Sequence, residues 1–403
     1  PGEVVIERGL AQEWGLKPGD QLRVGGFGRL DVVGVAVSPD NVAYPLASAA
    51  RVYVSPDWFD HRPDPNVALL WLNDPSKADV TLTQARAVAF GLGKLQFITR
   101  TGVKILLSQA AGIVISLAAS FCAFLLLYEL AEERLGADGA RRAVLYLALF
   151  PFALFFQAVY SESLYLLLTI AAFVLAERRR FPAAGAVAGL ALLTRPTGVA
   201  LLPALAVLAW RERDRVKALA WLALAPLMFA SYPLYLWRAD GDPWAFLRAQ
   251  RLWSRHLSPA GPLGGIWDGL RAGWAGIEQF ASGSHTRVYW TAVRDTDPIR
   301  AATLNLECLA FLVLFVVLTV IAWRRFGAPY GLFAALSLAI PLSVPSERWP
   351  LLSMPRFGLT IFPLFLALAV LGGRPRAHTA IVAVSSLLLG VSVVQWALWQ
   401  WVA

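Results

Sequence analysis

Up to Gly102 short β-type runs alternate with turn residues, and from Ile105 onward long apolar stretches are separated by short polar links. The early runs are Val4–Ile6, Gln21–Val24, Arg29–Val37, Arg51–Val54 and Val67–Leu72. They are punctuated by Lys17-Pro18-Gly19-Asp20 and Gly25-Gly26-Phe27-Gly28. β-Branched runs bounded by Gly, Pro and Asp predict strands joined by tight turns. Helices are predicted around Leu10–Trp14 and Thr81–Phe90. The Gly25-to-Gly28 cluster leads into a strand, whereas a dinucleotide-binding loop must lead into a helix, so it reads as a hairpin turn. Residues 1–102 are therefore expected to form a small α+β, β-rich soluble domain.

The remainder, 103–403, predicts a mostly α polytopic membrane helix bundle. About ten spans are expected from hydropathy. They lie near Ile105–Leu130, Ala143–Val159, Leu164–Ala176, Pro182–Leu193, Thr197–Trp210, Ala218–Leu236, Ala301–Trp323, Pro329–Val344, Leu359–Leu371 and Thr379–Trp401. Several are too short to cross a bilayer alone, so Pro182–Leu193 and Thr197–Trp210 read as hairpin helices or as one broken helix. In the polar segment 237–300, Leu263, Ile266, Trp267, Leu270, Trp274, Ile277 and Phe280 recur at helical spacing. Such a helix lies in the membrane interface or packs its apolar stripe on the bundle.

Composition supports the membrane class: 57% of residues are hydrophobic, 16% are charged and mean hydropathy is +0.56. The net charge of +9 would suit nucleic acid, but its distribution argues against that partner. Arginines gather in short links, at Arg141-Arg142, Arg178 to Arg180, Arg211 to Lys217, Arg324-Arg325 and Arg374 to Arg376. That is the positive-inside bias of a multi-pass plasma-membrane protein. With ten crossings these links share the cytoplasmic face. The front domain, Tyr160–Ser163, Thr194–Pro196, 237–300 and Ser343–Phe357 share the extracytoplasmic one. Cys122 and Cys308 both lie in apolar runs, and the four histidines are scattered, so no disulfide framework or thiolate metal site is expected. The chain opens on Pro1 without a signal-peptide pattern, as a fragment or processed form would.

Polar groups at membrane depth are costly and tend to mark function. Glu162 stands in the link Tyr160-Ser161-Glu162-Ser163, where it reads as a general base or as a first-turn acid at a helix start. Arg195, in Thr194-Arg195-Pro196, and Arg356, in Pro355-Arg356-Phe357, each stand at a proline-marked break. Their planar forks suit phosphate, the alternative being snorkelling or an ion pair. Glu307 is a candidate partner for either arginine. Asp240-Gly241-Asp242-Pro243 and Asp295-Thr296-Asp297-Pro298 have the Asp-x-Asp form that can hold a divalent metal, with Asp295 and Asp297 the candidates. Aspartate before proline is equally a helix cap.

Leu149-Phe150-Pro151-Phe152-Ala153, Tyr160 to Leu164, Leu193 to Gly198, Gln250 to Trp253, Arg255, and Pro355-Arg356-Phe357 leading into Phe362-Pro363-Leu364 carry a resemblance over about 120–403. The segment resembles the PIG-V-type mannosyltransferases of the GT-C class. The resemblance implies transfer of a mannosyl or other hexosyl residue, on the extracytoplasmic face, from a polyprenyl-phosphate sugar to an acceptor. It implies catalytic roles for Glu162, Arg195 and Arg356. It also implies substrate contacts from Tyr160, Ser161, Ser163, Thr194, Gln250, Trp253 and Arg255, with Trp253 as a sugar platform. The family's first extracytoplasmic loop, with its Trp-Asp element and catalytic acid, has no counterpart here, so an inactive transferase framework is one expectation.

Residues 1–118 are instead similar to the extracytoplasmic domain, and the start of the span that follows it, of a MacB- or FtsX-type ABC exporter permease. Glu3-Val4-Val5-Ile6, Gly15 to Asp20, Val32-Val33-Gly34-Val35, Arg100 to Val103 and Ala110 to Ile115 carry that similarity. The change of family near Ser116–Ser120 falls inside one span, as a fusion or an assembly join would place it. The alternative function is thus a non-enzymatic permease subunit partnered by an ABC ATPase. A transporter using Arg195 and Arg356 for an anion is a third reading.

Overall fold

The computed structural model describes residues 2–24, 28–36, 52–54, 81, 84, 102–293, 297–397 and 402. The chain divides into two compact units, Pro1–Ala110 and Ala111–Ala403. The first unit holds β1 (Glu3–Glu7), α1 (Arg8–Trp14), β2 (Gln21–Val24), β3 (Gly28–Ala36) and β4 (Val52–Val54). The strand order is β2-β3-β1-β4, with β1 parallel to β3 and the other two pairings antiparallel. Along β3, Leu30 and Val32 are buried while Asp31 and Val33 are exposed, so the sheet has a single covered face. Val4, Ile6, Leu22, Leu30 and Val32 meet Leu10 and Ala11 of α1 there. Gly15, at φ 66°, closes α1 in the left-handed region that glycine enters without a Cβ penalty. Val24 pairs with Gly28, as the hairpin reading of the glycine cluster requires. The strand predicted over Val67–Leu72 and most of the helix predicted over Thr81–Phe90 lie outside the described residues.

The second unit is helical. Helix α2 (Gly102–Ala148) is interrupted at Gly136, at φ 70° and ψ 174°. Ser120 of α2 donates to Ser163, at the start of α3 (Glu162–Glu177), across 2.9 Å. Arg134 pairs with Glu177 at the end of α3. The first part of α2 and α3 therefore run in the same direction, and the chain returns between them through 137–161. The span predicted over Ala143–Val159 is not a single helix. It ends at Ala148, ahead of Pro151, which has no N–H to continue the ladder. A 3-10 turn at Ala153–Phe156 and irregular backbone complete the return. Phe150, Phe152, Phe155 and Phe156 are all buried, so this non-helical stretch is enclosed in protein, as backbone at membrane depth must be.

Helices α4 (Phe181–Thr194) and α5 (Leu201–Trp210) form a hairpin rather than one broken helix. Arg179, before α4, lies 3.5 Å from Glu212, after α5. Between them Arg195 is extended (φ −148°, ψ 127°), followed by a 3-10 turn at Pro196–Ala200. Next come α6 (Arg215–Leu222), α7 (Leu224–Asp240), the short α8 (Ala245–Arg248) and α9 (Pro262–Ser282). The chain ends with α10 (Pro298–Phe326), α11 (Ala328–Ser343), α12 (Met354–Leu359), α13 (Phe362–Leu371) and α14 (Pro375–Ala397). Among the described residues four segments are long and apolar enough to cross a membrane: Ala111–Ala148, Arg215–Asp240, Pro298–Phe326 and Pro375–Ala397. Shorter apolar helices cover Phe181–Thr194, Pro196–Trp210, Ala328–Ser343 and Phe362–Leu371.

In α9 the packing is the reverse of a simple apolar-stripe reading. Gly265, Gly269, Ala272, Gly273, Ala275 and Gly276 are buried. Gly265 lies against the Leu342 carbonyl, Gly273 against Leu309, and Gly276 against Ala302 and Leu306. Leu263, Trp267, Leu270, Trp274, Ile277 and Phe280 are exposed. Small residues let the backbones approach closely, and the aromatic stripe is turned outward.

Polar side chains concentrate at the two ends of the bundle. At one end Glu177 accepts from Arg134 and from Tyr330, with the Arg134 guanidinium also lying over the Tyr330 ring. Arg178 pairs with Glu129, and Tyr146 shares a 2.7 Å hydrogen bond with His378. Phenylalanines pack between the ends, among them Phe150, Phe311, Phe315 and Phe365, and Phe173 with Phe333 and Phe362. The other end lies at the start of α3, about 24 Å away along that helix at 1.5 Å per residue.

Candidate functional site

Glu162 opens α3, where the helix dipole favours a negative charge. Its side chain is completely buried. Oε1 accepts from Arg195 Nη1 at 3.1 Å and from Arg356 Nε at 2.6 Å. The structure thus brings together the acid and both arginines that the sequence singles out, from three separate stretches of chain. The break after α4 delivers Arg195, since its extended backbone turns the side chain out of the α4–α5 hairpin. Ser353 (φ 64°, ψ 20°), a non-glycine residue in the left-handed region, precedes α12 and so sets the direction from which Arg356 enters.

Aromatic rings line the cluster. The Arg356 guanidinium lies 4.3 Å from the centre of the Tyr160 ring and 4.5 Å from that of Phe155. Arg195 lies over Tyr165 and Phe357, at 5.7 and 5.6 Å. Trp396 of α14 packs edge-on against Phe155 and Tyr160. Ring faces are electron-rich and help hold a desolvated cation. Two guanidiniums against one carboxylate leave an excess of positive charge in the cluster. Side-chain exposure is 14% for Arg195 and 20% for Arg356, against none for Glu162. A ligand would meet the arginines first, with the carboxylate behind them. Among the described residues Glu162 Oε2 is buried without a hydrogen-bond partner, which leaves room for one more donor.

The other sequence candidates divide. Tyr160 belongs to the cluster through its ring. Ser161 caps α3 without a side-chain bond, its carbonyl accepting from Tyr165. The Ser163 hydroxyl donates to the Phe156 carbonyl at 3.0 Å and accepts from Ser120, so it ties α3 to the return segment. Thr194 bonds back to the Leu190 carbonyl at 2.8 Å. Arg255 donates to the carbonyls of Val344 and Leu352, at 3.0 and 2.9 Å, and stacks over Phe357 at 5.6 Å. Burial pushes its guanidinium down to about 10, which still leaves it charged at neutral pH. Arg255 therefore pins the loop after α11 and shares Phe357 with Arg195. Gln250 and Trp253 are both exposed, the Trp253 carbonyl accepting from Ser346 at 2.9 Å.

Asp297 caps α10, its Oδ1 accepting the Arg300 N–H at 2.8 Å, while Asp295 lies outside the described residues. Asp242 likewise serves its own turn, accepting from the Trp244 N–H at 3.0 Å and pairing with Arg248. Among the described residues no three His, Cys, Asp or Glu side chains are grouped to hold a metal ion. Glu307 is half-buried on α10 and is not the partner of either site arginine, both of which bind Glu162. Sequence reasoning missed Phe155, Tyr165 and Trp396, and gave Phe357 no site role although it quoted the Pro355-Arg356-Phe357 element. Their only signal was apolar character, which a core position also has.

Residues 95–237 match the family model described as dolichyl-phosphate-mannose-protein mannosyltransferase. The match contains Glu162 and Arg195 and ends before Arg356. No curated protein and no solved structure matches the chain significantly. Together with the apolar helices, the match supports a membrane glycosyltransferase of the GT-C type, similar in kind to mannosyltransferases. The permease reading is not favoured by it.

Proposed function

We propose that this chain transfers a hexosyl residue, mannose being the expected one, from a polyprenyl-phosphate sugar to an acceptor at the end of the bundle that carries Glu162. The observation that carries the reading is the sharing of one buried carboxylate oxygen between Arg195 and Arg356. Glycosyl transfer forms a bond from an acceptor hydroxyl oxygen to the anomeric carbon and breaks the bond between that carbon and the phosphate oxygen; the hydroxyl proton passes to the departing phosphate or to water, and negative charge collects on the phosphate as it leaves. Fixed donors aimed at that charge lower the barrier because they need no reorganisation as it develops. Arg195 and Arg356 hold the phosphate with the donors that Glu162 leaves free, and Glu162 orients both. The rings of Tyr160 and Phe357 flank the charged cluster and keep water from it.

The test is transfer of radiolabel from polyprenyl-phosphate mannose in membranes containing the chain. Label in a product that is lost on Arg195→Ala, with membrane insertion intact, is the expected result. Unchanged transfer by that variant would remove Arg195 from the site. Absence of label combined with capture of an ABC ATPase would return the chain to the permease class.

A further inference from the structure

We propose that a groove at the arginine-rich end, remote from the Glu162 cluster, binds the phosphate of an anionic lipid headgroup. This assignment does not rest on the transferase reading. The groove encloses about 420 Å³ and is lined by Arg141, Arg142, Leu145, Gly372, Gly373 and His378, with Asp138 at its edge. Three features make it suited to a lipid phosphate.

Its charge is the first. Arg141 and Arg142 outnumber Asp138, which lies 3.5 Å from Arg141. The imidazole of His378 is fixed by its Nδ1 bond to Tyr146, which leaves Nε2 as its remaining polar atom. Its backbone is the second. Helix α14, 23 residues long, begins at the groove with Pro375; the His378 N–H donates to the Arg374 carbonyl, which leaves the N–H groups of Arg376 and Ala377 in the first turn without helical acceptors. Gly372 packs on Tyr146 so closely that no Cβ would fit, which keeps the floor low.

The third feature identifies the source of the phosphate. After its polar first turn helix α14 is mostly apolar, and apart from Ile381, Val382 and Leu389, which pack on the core, most of it is exposed, so its outer flank is open to lipid chains. A lipid lying along that flank would set its headgroup against the first turn of α14 and the paired arginines. Basic pockets between helices at a membrane face commonly hold such headgroups.

The purified full-length chain in detergent would be titrated with dioctanoyl phosphatidylglycerol, dioctanoyl phosphatidylcholine and inorganic phosphate, with thermal unfolding as readout. Saturable protection by phosphatidylglycerol alone is expected. Arg141 is largely exposed, so Arg141→Gln keeps the fold and should weaken the lipid about fivefold. Asp138→Asn removes the opposing carboxylate and should tighten binding. Equal protection by phosphatidylcholine or by free phosphate would overturn the lipid assignment. So would indifference of phosphatidylglycerol binding to both variants.

Discussion

Glu162 lends a single oxygen to two guanidiniums, and direct hydrogen bonds hold the three side chains as a unit. Glu162→Ala leaves two desolvated cations facing each other, and breaking a buried ion pair in this way costs about 3–5 kcal/mol. The loss should appear as a lower unfolding temperature of the detergent-solubilised protein. Arg356→Lys keeps the charge but gives up the planar fork and the stacking on Tyr160 and Phe155. Label transfer should then fall while the unfolding temperature changes much less than in Glu162→Ala. Arg195 and Arg356 were legible in the sequence because each is a lone charge at a proline-marked break among apolar residues. Of the rings that hold them, Tyr160 was singled out from its polar link, but the roles of the others were not legible. Phe155 and Phe357 have the composition of core residues, and only their meeting with the guanidiniums in three dimensions separates them from the core.

Helix α9 shows how periodicity can be right about an element and incomplete about its faces. The spacing of Trp267 and Trp274 predicted the helix, but the strongest packing signal lay in Gly265, Gly269, Gly273 and Gly276, one turn apart. Gly265→Leu would drive a side chain into the Leu342 carbonyl, and overpacking of this kind costs about 1–3 kcal/mol. A cysteine pair at Gly273 and Leu309, which are in contact, should cross-link readily in the native chain and lose that reactivity in Gly265→Leu. The return segment 137–161 was less legible. Its hydropathy is that of a span, yet Pro151 ends its helix early, and hydropathy alone does not register where a ladder stops. The α4–α5 hairpin was open between two readings until the pairing of Arg179 with Glu212 placed both outer ends together.

The bundle sorts its polar residues into two ends, with Glu177 and Tyr330 at one and Glu162 at the other. Single cysteines replacing Asp138 and Tyr160 should therefore react with a membrane-impermeant maleimide from opposite sides of sealed vesicles. Labelling of both from one side would refute this arrangement. The sequence reading assigned the two faces from arginine-dense links and a count of ten crossings, an assignment that a single miscounted span would break. The strand order of the front domain was not readable in advance, since the parallel pairing of β1 with β3 depends on contacts far apart in sequence.

Helix α14 touches this scheme at two places, His378 on Tyr146 near its start and Trp396 on Phe155 and Tyr160 near its end. Between those anchors Ile381, Val382 and Leu389 pack on the core while most of the helix faces outward, so a mismatch in bilayer thickness is accommodated by tilting against those few contacts. Thin or thick lipid would swing Trp396 away from the rings on which Arg356 rests. Sugar transfer in reconstituted vesicles should accordingly peak at one acyl-chain length and decline on either side of it.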